Sequence, residues 1–270
     1  MIFDTHCHGY WKGLDHRADD VRANMKALGV ARSVQVGADL ESSRMALDMA
    51  CRWGNDTWCT VGIHPTDCQD LPIDSHDELL CELERLFHER RDKVVGIGET
   101  GLDYYHLTQG KEAAQKAAQR VFFAAQSELS RKLDLPLIIH TRAAAADTVE
   151  LIKKNGVKRA VIHCFSEDLK FARDLQEWSD EIYFSFSGIL TYKNAKAIQA
   201  AASELWLERI LVETDSPFLV PQAVRATTDV NEPAFTRHVM DFLKTLRAEP
   251  AEFVEQTVWA NSHRFFRIPV

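Results

Sequence analysis

Ile2-Phe3-Asp4-Thr5-His6-Cys7-His8 stands at the start of the chain, and its reading sets the architecture. An apolar pair leads into a run that reads as a strand, and residues two apart on a strand point the same way. His6 and His8 therefore share one face where the strand runs out. Two imidazoles so placed form a chelating pair, which predicts a metal and further ligands at the ends of later strands.

Working outward, eight short apolar runs read as strands: Ile2–His8, Ser33–Gly37, Trp58–His64, Val94–Glu99, Leu137–His140, Ala160–Cys164, Ile182–Ser187 and Ile210–Glu213. Helical patterns lie between most of them. The longest, Gln109–Lys132, carries Ala114, Ala118, Val121, Phe122, Ala125 and Leu129 near helical spacing. Asp19–Leu28, Ser42–Trp53, Asp77–Arg91, Ala145–Asn155, Leu169–Trp178 and Asn194–Ala202 are further helical segments. Alternating strands and helices predict parallel βαβ units, and eight of them predict an α/β fold of the (β/α)8 TIM-barrel type. Pro233–Arg267 reads as two extra C-terminal helices, with Pro233 and Pro250 as start signals. The aromatic residues there, Phe235, Phe242, Phe253, Trp259, Phe265 and Phe266, read as core packing. No Pro/Gly/Ser-rich linker divides the chain, so residues 1–270 are expected to form a single domain.

The formal net charge is −8, whereas proteins that hold nucleic acid non-specifically are usually basic. Any phosphate must therefore be engaged locally. The six cysteines contain no C-x-x-C pair and several lie in apolar runs, so they read as reduced thiols of a cytoplasmic protein. No apolar stretch approaches the ~20 residues that span a membrane, and the start lacks the basic and apolar regions of a signal peptide.

Active sites of α/β barrels gather at the C-terminal ends of strands. Here those ends carry His6 and His8, His64, Glu99, His140, His163 and Asp215. A single His after an apolar run is more often a hydrogen-bonded core residue than a ligand. Imidazoles and carboxylates converging on one mouth, however, call for a compensating cation. Such donors suit Zn, Mn, Fe, Co or Ni, whereas Mg usually prefers oxygen ligands. There are enough donors for two divalent ions, one held by His6, His8 and Asp215 and the other by His140 and His163. Glu99 is placed to bridge them at the roughly 3.5–4 Å of two-metal hydrolases.

The chain resembles the TatD family of metal-dependent deoxyribonucleases, among the amidohydrolase-type TIM barrels. The markers run from Asp4-Thr5-His6-Cys7-His8 to Asn261-Ser262-His263-Arg264-Phe265-Phe266. Between them stand Gly62-Ile63-His64-Pro65, Gly98-Glu99-Thr100-Gly101-Leu102-Asp103-Tyr104-Tyr105, Ile139-His140-Thr141-Arg142, His163-Cys164-Phe165-Ser166, Phe186-Ser187-Gly188-Ile189, Glu213-Thr214-Asp215-Ser216-Pro217 and Asn231-Glu232-Pro233-Ala234. The resemblance implies His6, His8, Glu99, His140, His163 and Asp215 as metal ligands, with His64 a catalytic residue near the metal rather than a ligand. It also implies phosphodiester hydrolysis in DNA, 3′–5′ exonuclease-like, by water activated by divalent cations (Zn, Mn or Mg), with Glu99 and Asp215 serving catalysis and Asp215 as general base. Single-stranded DNA ends are the expected partner of a monomer. Two places depart from many relatives: Thr66 stands where a second His follows His-Pro, and Ala143 where an acidic residue follows Arg142. Both bear on substrate placement.

Around the mouth, Arg142 is either a phosphate contact or one half of a salt bridge. Tyr104, Tyr105 and Phe165 either stack on a terminal base or pack their loops. Glu213 either orients a ligand or caps its strand. Two other readings stand beside the nuclease: a metallohydrolase of small phosphoesters, lactones or amides, and a non-catalytic barrel that only binds a partner.

Overall fold

Eight strands run parallel and pair in chain order: β1 Ile2–Cys7, β2 Val30–Val36, β3 Thr57–Val61, β4 Val94–Asp103, β5 Leu137–Arg142, β6 Ala160–Ile162, β7 Ile182–Phe186 and β8 Ile210–Val212. This computed structural model describes residues 1–270. The ring closes where β8 runs on beside β1. There Asp215 N–H donates to His6 O at 2.9 Å, and His8 N–H to Ser216 O at 2.8 Å. Asp4 ties the same seam by accepting from the Thr214 backbone N–H at 2.9 Å and its hydroxyl at 2.6 Å. The expected (β/α)8 barrel is therefore the fold.

Ten helices follow the strands or close the barrel: α1 Ala18–Ala27, α2 Leu40–Trp53, the single turn α3 Pro65–Cys68, α4 His76–Glu89, α5 Glu112–Leu133, α6 Ala145–Lys154, α7 Leu169–Trp178, α8 Lys196–Glu204, α9 Thr236–Leu246 and α10 Ala251–Phe266. No helix is long and apolar enough to cross a membrane. The core has two layers, as the two faces of a barrel strand require. Phe3, Val34, Val95, Ile138, Val161 and Leu211 fill the interior, and a larger cluster fills the space between barrel and helices. Phe265 and Phe266 of α10 join the interior cluster, packing with tilted rings against Tyr183 and Phe3 at the N-terminal ends of the strands. That end is plugged, which leaves the other as the mouth.

α5 departs from its expected apolar face. Its buried stripe includes Gln115, Gln119 and Gln126, while Ala114 is exposed. These glutamines replace apolar packing with hydrogen bonds to the strand ends. Gln126 accepts from Ile63 N–H at 2.8 Å and donates to Ile63 O at 2.9 Å and to Thr100 Oγ1 at 2.7 Å. Gln119 brackets Asp103 in the same way, accepting from its N–H at 2.8 Å and donating to its carbonyl at 2.9 Å. Irregular backbone beside the mouth is thereby satisfied internally.

Candidate metal centre

β4 is longer than the sequence suggests and runs past Glu99 to Asp103. Glycines let it approach its neighbours. A Cβ on Gly62 would stand 2.4 Å from the Gly98 carbonyl carbon, and one on Gly98, whose φ is +135°, 2.5 Å from Ile138 O. Glu99 is carried into the centre of the mouth, where its carboxylate meets four rings. Oε1 lies 2.7 Å from His163 Nε2, 3.1 Å from His140 Nδ1 and 3.3 Å from His64 Nε2, and Oε2 lies 3.4 Å from His6 Nε2. On the other side, Asp215 Oδ1 is 3.5 Å from His8 Nε2 and 3.6 Å from His6 Nε2, and those two nitrogens are 3.3 Å apart. Three overlapping donor groups result: His6, His8 and Asp215; His6, Glu99 and His163; and His64, Glu99 and His140.

All seven strand-end residues are thus brought together. His6 faces both carboxylates, with Nε2 3.4 Å from Glu99 and 3.6 Å from Asp215.

The partners behind each ring decide which nitrogen faces inward with a lone pair. His8 Nδ1 lies 2.7 Å from Val36 O, so it donates there and leaves Nε2 free to bind a cation. His140 Nε2 is 3.3 Å from Asp103 Oδ2, which leaves Nδ1 free. His163 Nδ1 is 3.3 Å from Glu213 Oε1, off the axis of the ring N–H, and the same oxygen accepts the Cys164 N–H at 2.6 Å. Glu213 therefore faces a candidate ligand rather than capping its strand. His64 is reversed. Its Nδ1 accepts from Thr66 N–H at 3.2 Å and lies 2.7 Å from the Thr66 hydroxyl, so Nε2 carries the proton toward Glu99. A protonated nitrogen cannot ligate, which separates His64 from the other imidazoles.

The electrostatics of the mouth suit a cation. Burial raises the Glu99 pKa, but His163, His64 and His140 outweigh it and hold the carboxyl well below its ordinary range. Burial likewise raises Asp215, yet His8, His6 and His163 bring it below the usual value. In return, His163 and His8 are pushed up against the effect of burial, the first chiefly by Glu99 and Glu213, the second by Asp215. Two buried carboxylates thus draw positive charge into the ring, and imidazole lone pairs beside them complete a donor set suited to divalent transition metals.

Asp215 is held in an unusual backbone conformation, with φ of 56° in the left-handed region. Ala143 has φ of 54°, a conformation that Asp or Asn adopts more easily than Ala. This gives the Ala143 departure a structural setting, on the exposed turn after Arg142.

Two sequence assignments need correction. Phe165 is fully buried, packed edge-on against Phe184 and Phe186, and cannot stack on a base. Tyr104 is half-buried, its hydroxyl donating to Asp147 at 2.7 Å and its ring under Lys116. The exposed aromatic of that loop is Tyr105, 65% accessible, with the Arg142 guanidinium 4.0 Å above its ring. Arg142 is therefore stacked on Tyr105, not bridged across the mouth. Sequence reasoning also missed Asp103. Its signal was the two-residue spacing from Glu99 through Gly101, which places all three on one side of a strand once β4 is taken to its full length.

A parallel barrel whose mouth gathers these imidazoles and carboxylates defines a class, the metal-dependent hydrolases. The profile of the TatD related DNase family matches residues 3–267, and the chain belongs to that family. It is 35% identical over 275 residues to the uncharacterized metal-dependent hydrolase YcfH of Escherichia coli K12, covering 99% of this chain and 96% of that protein. It is 33% identical over 270 residues to the uncharacterized metal-dependent hydrolase YabD of Bacillus subtilis, covering 99% and 100%. Among solved structures, the TatD homolog YJJV of Escherichia coli K12 superposes with a TM-score of 0.88 at 25% identity, covering 99% of this chain and 98% of that one.

Proposed function

We propose that this hydrolase is a deoxyribonuclease that removes nucleotides from the 3′ ends of single-stranded DNA. The observation that carries the reading is Glu99, whose two oxygens face His163 and His140 on one side and His6 on the other. The residues that would hold divalent cations there are His6, His8 and Asp215 on one side of Glu99 and His140 and His163 on the other. When bound, such cations lower the pKa of water toward ~7 and neutralise charge that builds on phosphate oxygens.

The chain's own groups account for the rest. Asp215 is the more open of the two central carboxylates, its side chain 16% exposed against 6% for Glu99, and it takes the proton of the attacking water. His64 presents an N–H into the mouth and holds a substrate phosphate oxygen. Arg142, exposed and propped on Tyr105, meets the next phosphate along the strand, and Tyr105 offers a face for a base. Local contacts of this kind allow a chain of net charge −8 to act on a strand end without a broad basic surface.

The deciding experiment is a substrate panel with Mg, Mn and Zn, together with metal analysis of the purified protein. Single-stranded DNA with free or blocked 3′ ends is set beside small phosphodiesters, lactones and amides. Release of mononucleotides from free 3′ ends is the expected result. Turnover confined to lactones or amides rejects the nuclease and leaves a different metallohydrolase.

A further inference from the structure

The β4–β5 side of the barrel mouth carries an exposed cation. After β4 and β5 stands Arg142, stacked on Tyr105. Toward β1, the loop after that strand, the start of α2 and the single turn α3 border a groove of about 330 Å³. Trp11 and Met45 give it an apolar wall. Four carboxylates, Asp15, Asp39, Glu41 and Asp67, line it against a single lysine, Lys12. None of the four is paired with a lysine or arginine; the ring nearest Asp15 is that of His16, and the ring nearest Asp67 is that of His64.

The groove adjoins the candidate metal centre. Tyr10, which lines it, has its hydroxyl 3.1 Å from His8 Nδ1, and Asp67 lies 3.7 Å from His64 Nδ1. At its edge Trp11 and Phe218 form an edge-to-face pair with centroids 5.9 Å apart, and the Trp11 ring is 5.8 Å from that of His8. Both aromatics are well exposed, at 39% and 48%. Large apolar rings left open beside a polar centre are suited to receive a flat apolar group.

We propose that this groove is the subsite for the terminal nucleoside of the strand, and that it selects a free 3′ hydroxyl over a 3′ phosphate. The inference rests on the nuclease reading above. A phosphodiester carries one negative charge, whereas a terminal phosphomonoester carries about −1.5 to −2 at pH 7. Unpaired carboxylates only accept hydrogen bonds. They complement the hydroxyl and amino donors of a nucleoside end and repel a terminal phosphate. The base lies against Trp11 and Phe218, and the internucleotide phosphates pass toward His64 and Arg142. The end of the chain is thereby recognised by what it lacks, a terminal charge.

The test uses the metal-loaded protein and 5′-labelled single-stranded oligonucleotides ending in a 3′ hydroxyl or a 3′ phosphate. The hydroxyl end is expected to be cleaved at least tenfold faster. The double variant Asp15→Asn/Glu41→Gln changes two exposed side chains, sparing Asp39, which caps α2 through Ser42 N–H at 2.7 Å. It should shrink that ratio at least threefold. Trp11→Ala should raise KM about fivefold or more for a strand with a 3′-terminal base, and less than twofold for one ending in an abasic sugar. Equal cleavage of both ends, a ratio unmoved by the double variant, or a Trp11→Ala effect independent of the terminal base overturns the inference and leaves the nuclease standing. Cleavage of neither oligonucleotide overturns both.

Discussion

The carboxylate of Asp103 lies 3.3 Å from Nε2 of His140, on the opposite edge of the ring from Glu99. The same oxygen is 2.7 Å from His106 Nδ1, and the backbone of Asp103 is clasped by Gln119. Asp103 thus fixes the ring orientation of His140 and the nitrogen that keeps its lone pair. Loss of such an outer partner typically costs 10–100-fold in metal affinity or activity. Asp103→Asn is expected to fall in that range. Titration with Zn or Mn should show weaker binding at one site, and unchanged metal affinity together with unchanged turnover would remove Asp103 from this role.

Removal of metal should have a structural consequence as well as a catalytic one. Glu99 and Asp215 are brought into a ring of imidazoles whose protons are the other source of compensating charge. Ligand that binds only the folded state stabilises by about 2.7 kcal/mol at a hundred times its Kd. Dialysis against a chelator is therefore expected to abolish turnover and lower the melting temperature, with both restored by Mn or Zn. Asp215→Asn should keep the fold and lose turnover by orders of magnitude. A metal-free protein of full activity would exclude the mechanism.

Arg142 provides a test of substrate placement. Its guanidinium rests on Tyr105 and has no acidic partner in the fold, so its removal unpairs nothing. Arg142→Ala should raise KM for oligonucleotides about tenfold, and should flatten the dependence of log KM on log salt by close to one phosphate's worth. Stability should change by less than about 0.5 kcal/mol, as for other exposed substitutions. An unaltered KM with an unaltered salt slope would assign Arg142 to loop packing.

The barrel was legible in the sequence because strand and helix alternate, and because five of the chain's eleven histidines fall at strand ends. What stayed hidden has physical reasons. A strand through Gly96, Gly98 and Gly101 lacks the branched side chains that mark strands, so β4 reads as ending at Glu99 and Asp103 is lost. Buried glutamines look like a solvent face by periodicity, so the hydrogen-bonding edge of α5 reads as surface. Phe165 follows a candidate ligand in sequence but points the other way, into the layer between barrel and helices. The direction of a side chain one residue past a strand end is set by tertiary packing, not by spacing.

The glutamine edge of α5 is open to a direct test. Gln126 makes three hydrogen bonds, two of them to the backbone of Ile63, the residue before His64. Gln126→Leu would leave the buried N–H and carbonyl of Ile63 unpartnered, at about 1–3 kcal/mol for each group left unsatisfied. The melting temperature should fall by several degrees, and activity should fall further than stability alone explains because His64 loses its support. A variant as stable as the parent would show that water replaces the glutamine.

Acid stability can be read at a site remote from the mouth. Glu255 on α10 meets Lys244, Arg237 at 3.1 Å and the amino group of Met1 at 2.9 Å. Burial alone would raise its pKa, but Lys244 and the amino group outweigh it and bring the carboxyl down to about 2 from 4.5. A carboxyl depressed on folding contributes stability that is complete above the unfolded value and fades as pH falls through the folded one. The contribution is therefore expected in full at pH 6–7, and to be lost between about 4.5 and about 2. After discount for solvent screening it is worth about 1 kcal/mol. Glu255→Gln should melt lower than the parent at neutral pH, and the two curves should converge as pH falls toward 2. A constant gap across that window would mean that the charge of Glu255 adds nothing and that its packing alone is felt.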